Sequence, residues 1–236
     1  KAFEREMPGA PLSGRGLQLL DGARVTLRRV TVTRAHSFGL YAARGVILDA
    51  SDLAIVGVQP GGPDHGQGRG INLQEGTVAT LGGVTLADVR ETGLFLDGEG
   101  TQAVVAGLAI AQVGHPQLAG QLARGVSVQL GAQLQWTGGM VAQVGNAGVF
   151  VRAGLARANL TGLRIADVQA VGESAAWGSS VYAAQDVDLT LHATQIIGSH
   201  LAGVAVQDAS ATLTSVAVAL TAAGGLAKAG GTFTDF

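Results

Sequence analysis

The chain predicts an all-β solenoid of about eight stacked coils, and three observations predict it. The phrases GLYAA, GLFLD, GVFVR and GVAVQ open at Gly39, Gly93, Gly148 and Gly203, about 55 residues apart. A second set, RGLQLL from Arg15, RGINLQ from Arg69, RGVSVQ from Arg124 and SSVYAA from Ser179, falls about half a period away. Within both sets apolar residues recur two apart with polar or small residues between them, which is the period of a strand with one buried face. Helical periodicity is absent throughout.

The strands follow from the columns that form when the repeats are superposed. In the first half-repeat Leu17, Ile71, Val126 and Val181 align, and two residues later Leu19, Leu73, Val128 and Ala183. Next come Val25, Ala79, Leu134 and Leu189, then Leu27, Leu81, Trp136 and Leu191, then Val32, Leu86, Val141 and Ile196. Thr26, Thr80, Gln135 and Thr190 stand between the first two of these columns and face outward. The second half-repeat supplies Leu53, Leu108, Leu163 and Val216, followed by Ile55, Ile110, Ile165 and Val218. Strands of three to five residues joined by Gly, Asn, Asp and Ser turns cannot each bury a face alone. They must stack at roughly 4.8 Å as parallel sheets around one apolar core, about three strands to a coil.

The phrases GLYAARGVILDASDLAIVGV from Gly39 and GVSVQLGAQLQWTGGMVAQVGNA from Gly125 resemble the degenerate repeat of the pectin-lyase-like superfamily, from about Gly14 to Leu220. The resemblance implies a single-stranded right-handed parallel β-helix over residues 14–225, with an N-terminal flank or partial cap at 1–13 and a C-terminal one at 226–236. It also implies an extracellular or cell-surface protein of a bacterium. Fold analogy by itself assigns no function.

Composition agrees. Glycine at 37 of 236 residues, with 47% hydrophobic and 14% charged residues, suits many tight turns around a long core. A net charge of −2 gives no reason to expect nucleic acid as a partner, and no apolar run reaches the roughly 20 residues of a membrane span. The absence of cysteine excludes disulfides and thiolate metal sites. The N-terminal KAFEREMPGAPLSG is charged and has no apolar core, so it is not a signal peptide, and the apolar pattern runs to within about 20 residues of Phe236. The expectation is an excised piece of a longer protein whose flanking domains lie outside this chain.

Pectate-lyase-like and polygalacturonase-like enzymes need acids converging at one lateral position of neighbouring coils. The acids here read as turn residues: Asp21 and Glu75 beside Gly22 and Gly76, Asp186 in a turn glycine's place, and Asp49, Asp52, Asp97 and Asp208 after short strands. Asp88 and Asp167 fall about three coils apart, roughly 14 Å along the axis, too far to share one glycosidic bond. No catalytic residue, metal ligand or cofactor is assigned.

Two features carry functional expectations. Insertions at one recurring corner, QPGGPDHGQG from Gln59, VGHPQLAGQLA from Val113 and VGESAAWGS from Val171, offer Asp64, His65, His115, Glu173 and Trp177. They are the place for a site if the chain is a diverged polysaccharide lyase or glycoside hydrolase. The second feature is the outward column behind the first core residue of each coil: Gln18, Tyr41, Asn72, Phe95, Ser127, Phe150, Tyr182 and Ala205. Aromatic and polar residues nearly alternate there in a chain only 4% aromatic. Tyr41, Asn72, Phe95, Ser127, Phe150 and Tyr182 therefore form the stripe expected to meet a polysaccharide or protein partner, or to lie under the corner loops. The preferred expectation is a non-catalytic scaffold or recognition module. Trp136 is read as core, and Arg24, Arg28, Arg29, Arg34 and Arg44 as solvated surface.

Overall fold

A computed structural model describes residues 14–61, 67–114, 123–170, 178–222, 224–229 and 232–235. Successive coils are β1 (Leu17–Leu19) with β2 (Arg24–Thr33), β3 (Phe38–Ala42) with β4 (Ile47–Val58), and β5 (Arg69–Gln74) with β6 (Val78–Gly82) and β7 (Thr85–Val89). The fourth, fifth and sixth are β8 (Thr92–Asp97) with β9 (Gln102–Val113), β10 (Arg124–Gln129) with β11 (Gln133–Gly145), and β12 (Ala147–Arg152) with β13 (Arg157–Gln169). There follow β14 (Ser179–Ala184) with β15 (Asp188–His192) and β16 (Gln195–Ser199), β17 (Ala202–Gln207) with β18 (Ser210–Thr214) and β19 (Ala217–Ala219), and a ninth turn of β20 (Gly224–Ala229) and β21 (Thr232–Asp235). The first strand of every coil pairs only with its counterparts, giving a nine-stranded sheet, and the remaining strands form a second, 12-stranded sheet. All pairing is parallel, so the described residues wind as a right-handed parallel β-helix.

Register matches the sequence columns residue for residue. Leu17, Leu40, Ile71, Leu94, Val126, Val149, Val181 and Val204 stack in the first sheet. Val32, Ile55, Leu86, Ile110, Val141, Ile165, Ile196 and Val218 stack in the second. One apolar cluster runs the length of the solenoid between them, with Trp136 buried in its leucine column. The Trp136 Nε1–H donates to Gly138 O at 2.9 Å, so the indole's one polar atom is satisfied.

One expectation changes. Strands are not uniformly three to five residues long, since β4 and β9 run 12 residues and β11 and β13 run 13. Each of these long strands folds at a left-handed residue. The column from Arg29 and Asp52 through Gly83, Gly107, Gly138 and Gly162 to Ala193 and Ser215 has φ between 47° and 68° in each of the first eight coils. This corner divides the second sheet into two limbs, and only glycine adopts such φ without strain. Asp88 and Asp167 share a second left-handed column, at φ 52° and 54°, which gives them a conformational role. At the C-terminus β20 and β21 pair with β17 and β18, so paired strands run into the segment expected as a flank or partial cap.

The phrase glycines have a steric cause. A Cβ on Gly148 would stand 2.6 Å from Ser180 O and 2.7 Å from Ile165 Cγ2, and one on Gly39 would stand 2.7 Å from Gly70 O. The β-branched and leucine column of Val32, Ile55, Leu86, Ile110, Val141 and Ile165 presses against the start of the first sheet, and glycine at Gly39, Gly93 and Gly148 leaves it room. The seventh coil has Ser180 instead, whose hydroxyl shares a 2.6 Å hydrogen bond with Ser199 Oγ.

Candidate functional site

The two sheets bury their faces differently. The second alternates buried and exposed, as in β9, whereas β5, β8, β10 and β12 are buried on both faces at nearly every position. The outward column is the one the sequence predicts: Gln18, Tyr41, Asn72, Phe95, Ser127, Phe150, Tyr182 and Ala205 stack in register. Phe95 and Phe150 are only 7% and 1% exposed, and Asn72 and Ser127 are fully buried. Tyr41 and Tyr182 are half-buried.

Guanidinium groups lie over these rings. Arg15 Cζ is 4.3 Å from the Tyr41 ring centre, Arg69 Cζ 3.8 Å from that of Phe95, and Arg124 Cζ 3.5 Å from that of Phe150. Each arginine belongs to the coil before its ring, so the stacking ties neighbouring coils together. The attraction of a cation for a ring face amounts to about 0.5–2 kcal/mol, the larger figure where water is excluded. Phe150 also stacks on Tyr182, with ring centres 5.4 Å apart and planes 10° from parallel.

Polar partners fix the arginines. Arg69 donates through Nε to Glu91 Oε1 at 3.0 Å and through Nη1 to Asn72 Oδ1 at 2.8 Å. Arg124 Nη1 reaches Ser127 Oγ at 3.3 Å, and Gln129 Nε2 donates to the same oxygen at 2.7 Å. Gln74, Asp97, Gln129, Arg152 and Gln207 make a polar rim two residues further along the strands, in which Tyr182 O–H donates to Gln207 Oε1 at 2.8 Å and the Tyr41 hydroxyl lies 3.4 Å from Gln74 Oε1.

Burial sets the electrostatics. Desolvation pushes the Arg124 guanidinium down to about 10, against the attraction of Glu91, so it stays protonated at neutral pH. Desolvation likewise raises the Asp97 carboxyl, opposed by the charge of Arg69. Glu91 lies just before β8 and Asp97 at its end, and the charge of Arg69 acts on both carboxyls.

The corner-loop residues Asp64, His65, His115, Glu173 and Trp177 lie outside the described residues. Of the acids read as turn residues, Asp21, Glu75, Asp186 and Asp208 do have left-handed φ. Asp49 is different: it sits within β4 on the outer face and pairs with Arg28 at 2.6 Å. Arg44 pairs with Asp21 at 2.9 Å. Among the described residues no group of three or more His, Cys, Asp or Glu could hold a metal ion, and no helix is long and apolar enough to cross a membrane. Sequence reasoning missed the arginines at the head of each RG phrase. Their signal was present, since Arg15, Arg69 and Arg124 each precede an outward polar residue by three positions.

Fold and site together define a parallel β-helix whose first sheet carries a guanidinium-capped aromatic column. No protein-family model matches the chain, and no curated protein matches it. It is similar to a crystal structure of a double mutant of the periplasmic alginate epimerase AlgG, at 8% identity over 92% of this chain and 72% of that one, with a TM-score of 0.33. The fold stands on the strand register itself.

Proposed function

We propose that the chain is a non-catalytic β-helix module of a secreted or surface protein of a bacterium, a rigid scaffold whose first sheet presents a recognition face to a glycan or a protein. The observation that carries this reading is the built outer column. Three arginines stack on three rings in register, and Arg124 is buried there with no ion pair to a described residue. Holding a cation out of water with no direct ion pair, and only the more distant charge of Glu91 to offset it, costs stability, and such a cost is commonly met at sites that bind. A guanidinium plane above each ring makes the contact surface cationic, so acidic or acceptor-rich partners fit it better than flat apolar ones. The experiment is a retention and turnover screen of the purified chain on acidic and neutral polysaccharides, with and without calcium. Retention without new reducing or unsaturated ends is expected. Product formation would refute the reading and favour a diverged polysaccharide lyase or glycoside hydrolase.

A further inference from the structure

Arg15, Arg69 and Arg124 form one column along the axis. Arg69 and Arg124 both align with Thr92 of the coil between them, and Arg15 lies two residues before Leu17, opposite Phe38, which aligns with Arg69. The positive charges therefore recur at every second coil, about 9.6 Å apart at the strand spacing. Their compensation is unequal. Arg69 is paired with Glu91 at 3.0 Å, while Arg15 and Arg124 form no ion pair with a described residue. Beside Arg69 the fully buried Asn72 Nδ2 has no hydrogen-bond acceptor, although a buried amide donor ordinarily finds one. Cations that form no ion pair with a described residue, and an orphan donor on the same face, call for a ligand that brings acceptors.

We propose that this column binds an extended acidic peptide in the polyproline II conformation, with carboxylates at every third residue set against the guanidinium column. The inference rests on the reading of the first sheet as a recognition face and names its partner. Polyproline II rises about 3.1 Å per residue with three residues per turn, so positions i, i+3 and i+6 share one edge about 9.3 Å apart. That spacing matches the arginine repeat. A β-strand places same-face residues at about 6.7 and 13 Å and misses it. Polyproline II also leaves its carbonyls without internal partners, which suits the Asn72 donor. The outer two carboxylates meet Arg15 and Arg124, and the middle one meets the Arg69 and Glu91 pair.

The test measures fluorescence anisotropy of a labelled peptide of Pro-Pro-Glu triplets on the purified chain at low salt. A Pro-Pro-Gln peptide, a Glu-Thr alternating peptide and polygalacturonate are the comparison ligands. Saturable binding of the Pro-Pro-Glu peptide alone among the three peptides is expected. Arg124→Met should weaken it at least tenfold, Arg124→Lys should restore part of that, and Arg15→Gln, at an exposed residue, should also weaken it about tenfold in a variant whose far-UV circular dichroism matches wild type. No saturable binding, equal binding of the alternating peptide, or affinity unchanged in Arg15→Gln would overturn the proposal. Binding of polygalacturonate without the peptide, lost in Arg124→Met, would overturn the peptide and leave the recognition face standing. Cleavage of polygalacturonate would overturn the non-catalytic reading as well.

Discussion

Replacing Phe95 by alanine separates a covered ring from an open platform. A ring lying open on the surface contributes little to folding, and its loss moves stability by less than about 0.5 kcal/mol. Phe95 is 7% exposed, packed in the outward column under Arg69 at 3.8 Å. Burying a phenylalanine removes about 150–250 Å² from water, which at about 25 cal/mol per Å² amounts to roughly 4–6 kcal/mol. Measured Phe→Ala changes at buried sites run about 3–5 kcal/mol, because the surroundings relax into part of the gap. For a chain of this length each kcal/mol shifts Tm by roughly 2–4 °C, so Phe95→Ala should lower Tm by about 10 °C. Far-UV circular dichroism during thermal and urea unfolding reads this directly, and Phe95→Leu, which keeps most of the volume, should fall well short of it. A Tm within about 1 °C of wild type would refute the reasoning, since it would mean that the ring is not covered.

Other consequences follow from the same geometry. Gly148→Ala places a methyl against Ser180 O and Ile165, so a loss of about 1–3 kcal/mol or more is expected. Gly45→Ala, at φ 71° with no atom within 4 Å of the new methyl, should cost about 1 kcal/mol by backbone strain alone, and equal losses in the two variants would contradict the steric account of the phrase glycines. Asp97 holds its proton to higher pH in the folded chain than in the unfolded one. Its contribution to stability is therefore most favourable below the ordinary carboxyl value and declines as pH rises through the folded value. Asp97→Asn should raise Tm at pH 7 and flatten the pH dependence just above the ordinary carboxyl value, and a lower Tm in the variant at pH 7 would contradict this.

The fold was legible because a solenoid repeats its own evidence. A one-residue slip reverses every side chain, so the alignment of Leu17 with Ile71 and of Val32 with Leu86 fixes the register of whole sheets. The bends inside the long strands were not legible. Arg29, Gln112 and Gln143 adopt left-handed φ without the glycine or asparagine that would announce it, held there by the coils on either side. The outward column was legible for the same reason as the core. What covers it was not, because Arg69 and Arg124 act on rings in the next coil, 26 residues further along the chain, and only the three-dimensional stack brings them together. The RG phrases were visible as repeats, yet nothing within one phrase shows that its arginine lies over a ring of the next coil.

The guanidinium of Arg124 over the ring of Phe150 is the contact on which the recognition face depends, and a double-mutant cycle measures it most directly. Arg124→Met, Phe150→Leu and the double variant would be compared by urea unfolding. A favourable coupling of about 1–2 kcal/mol is expected for a cation held 3.5 Å from the ring centre with Phe150 1% exposed. Additivity within about 0.3 kcal/mol, in variants that keep the wild-type fold, would contradict it and remove the cationic column from this face.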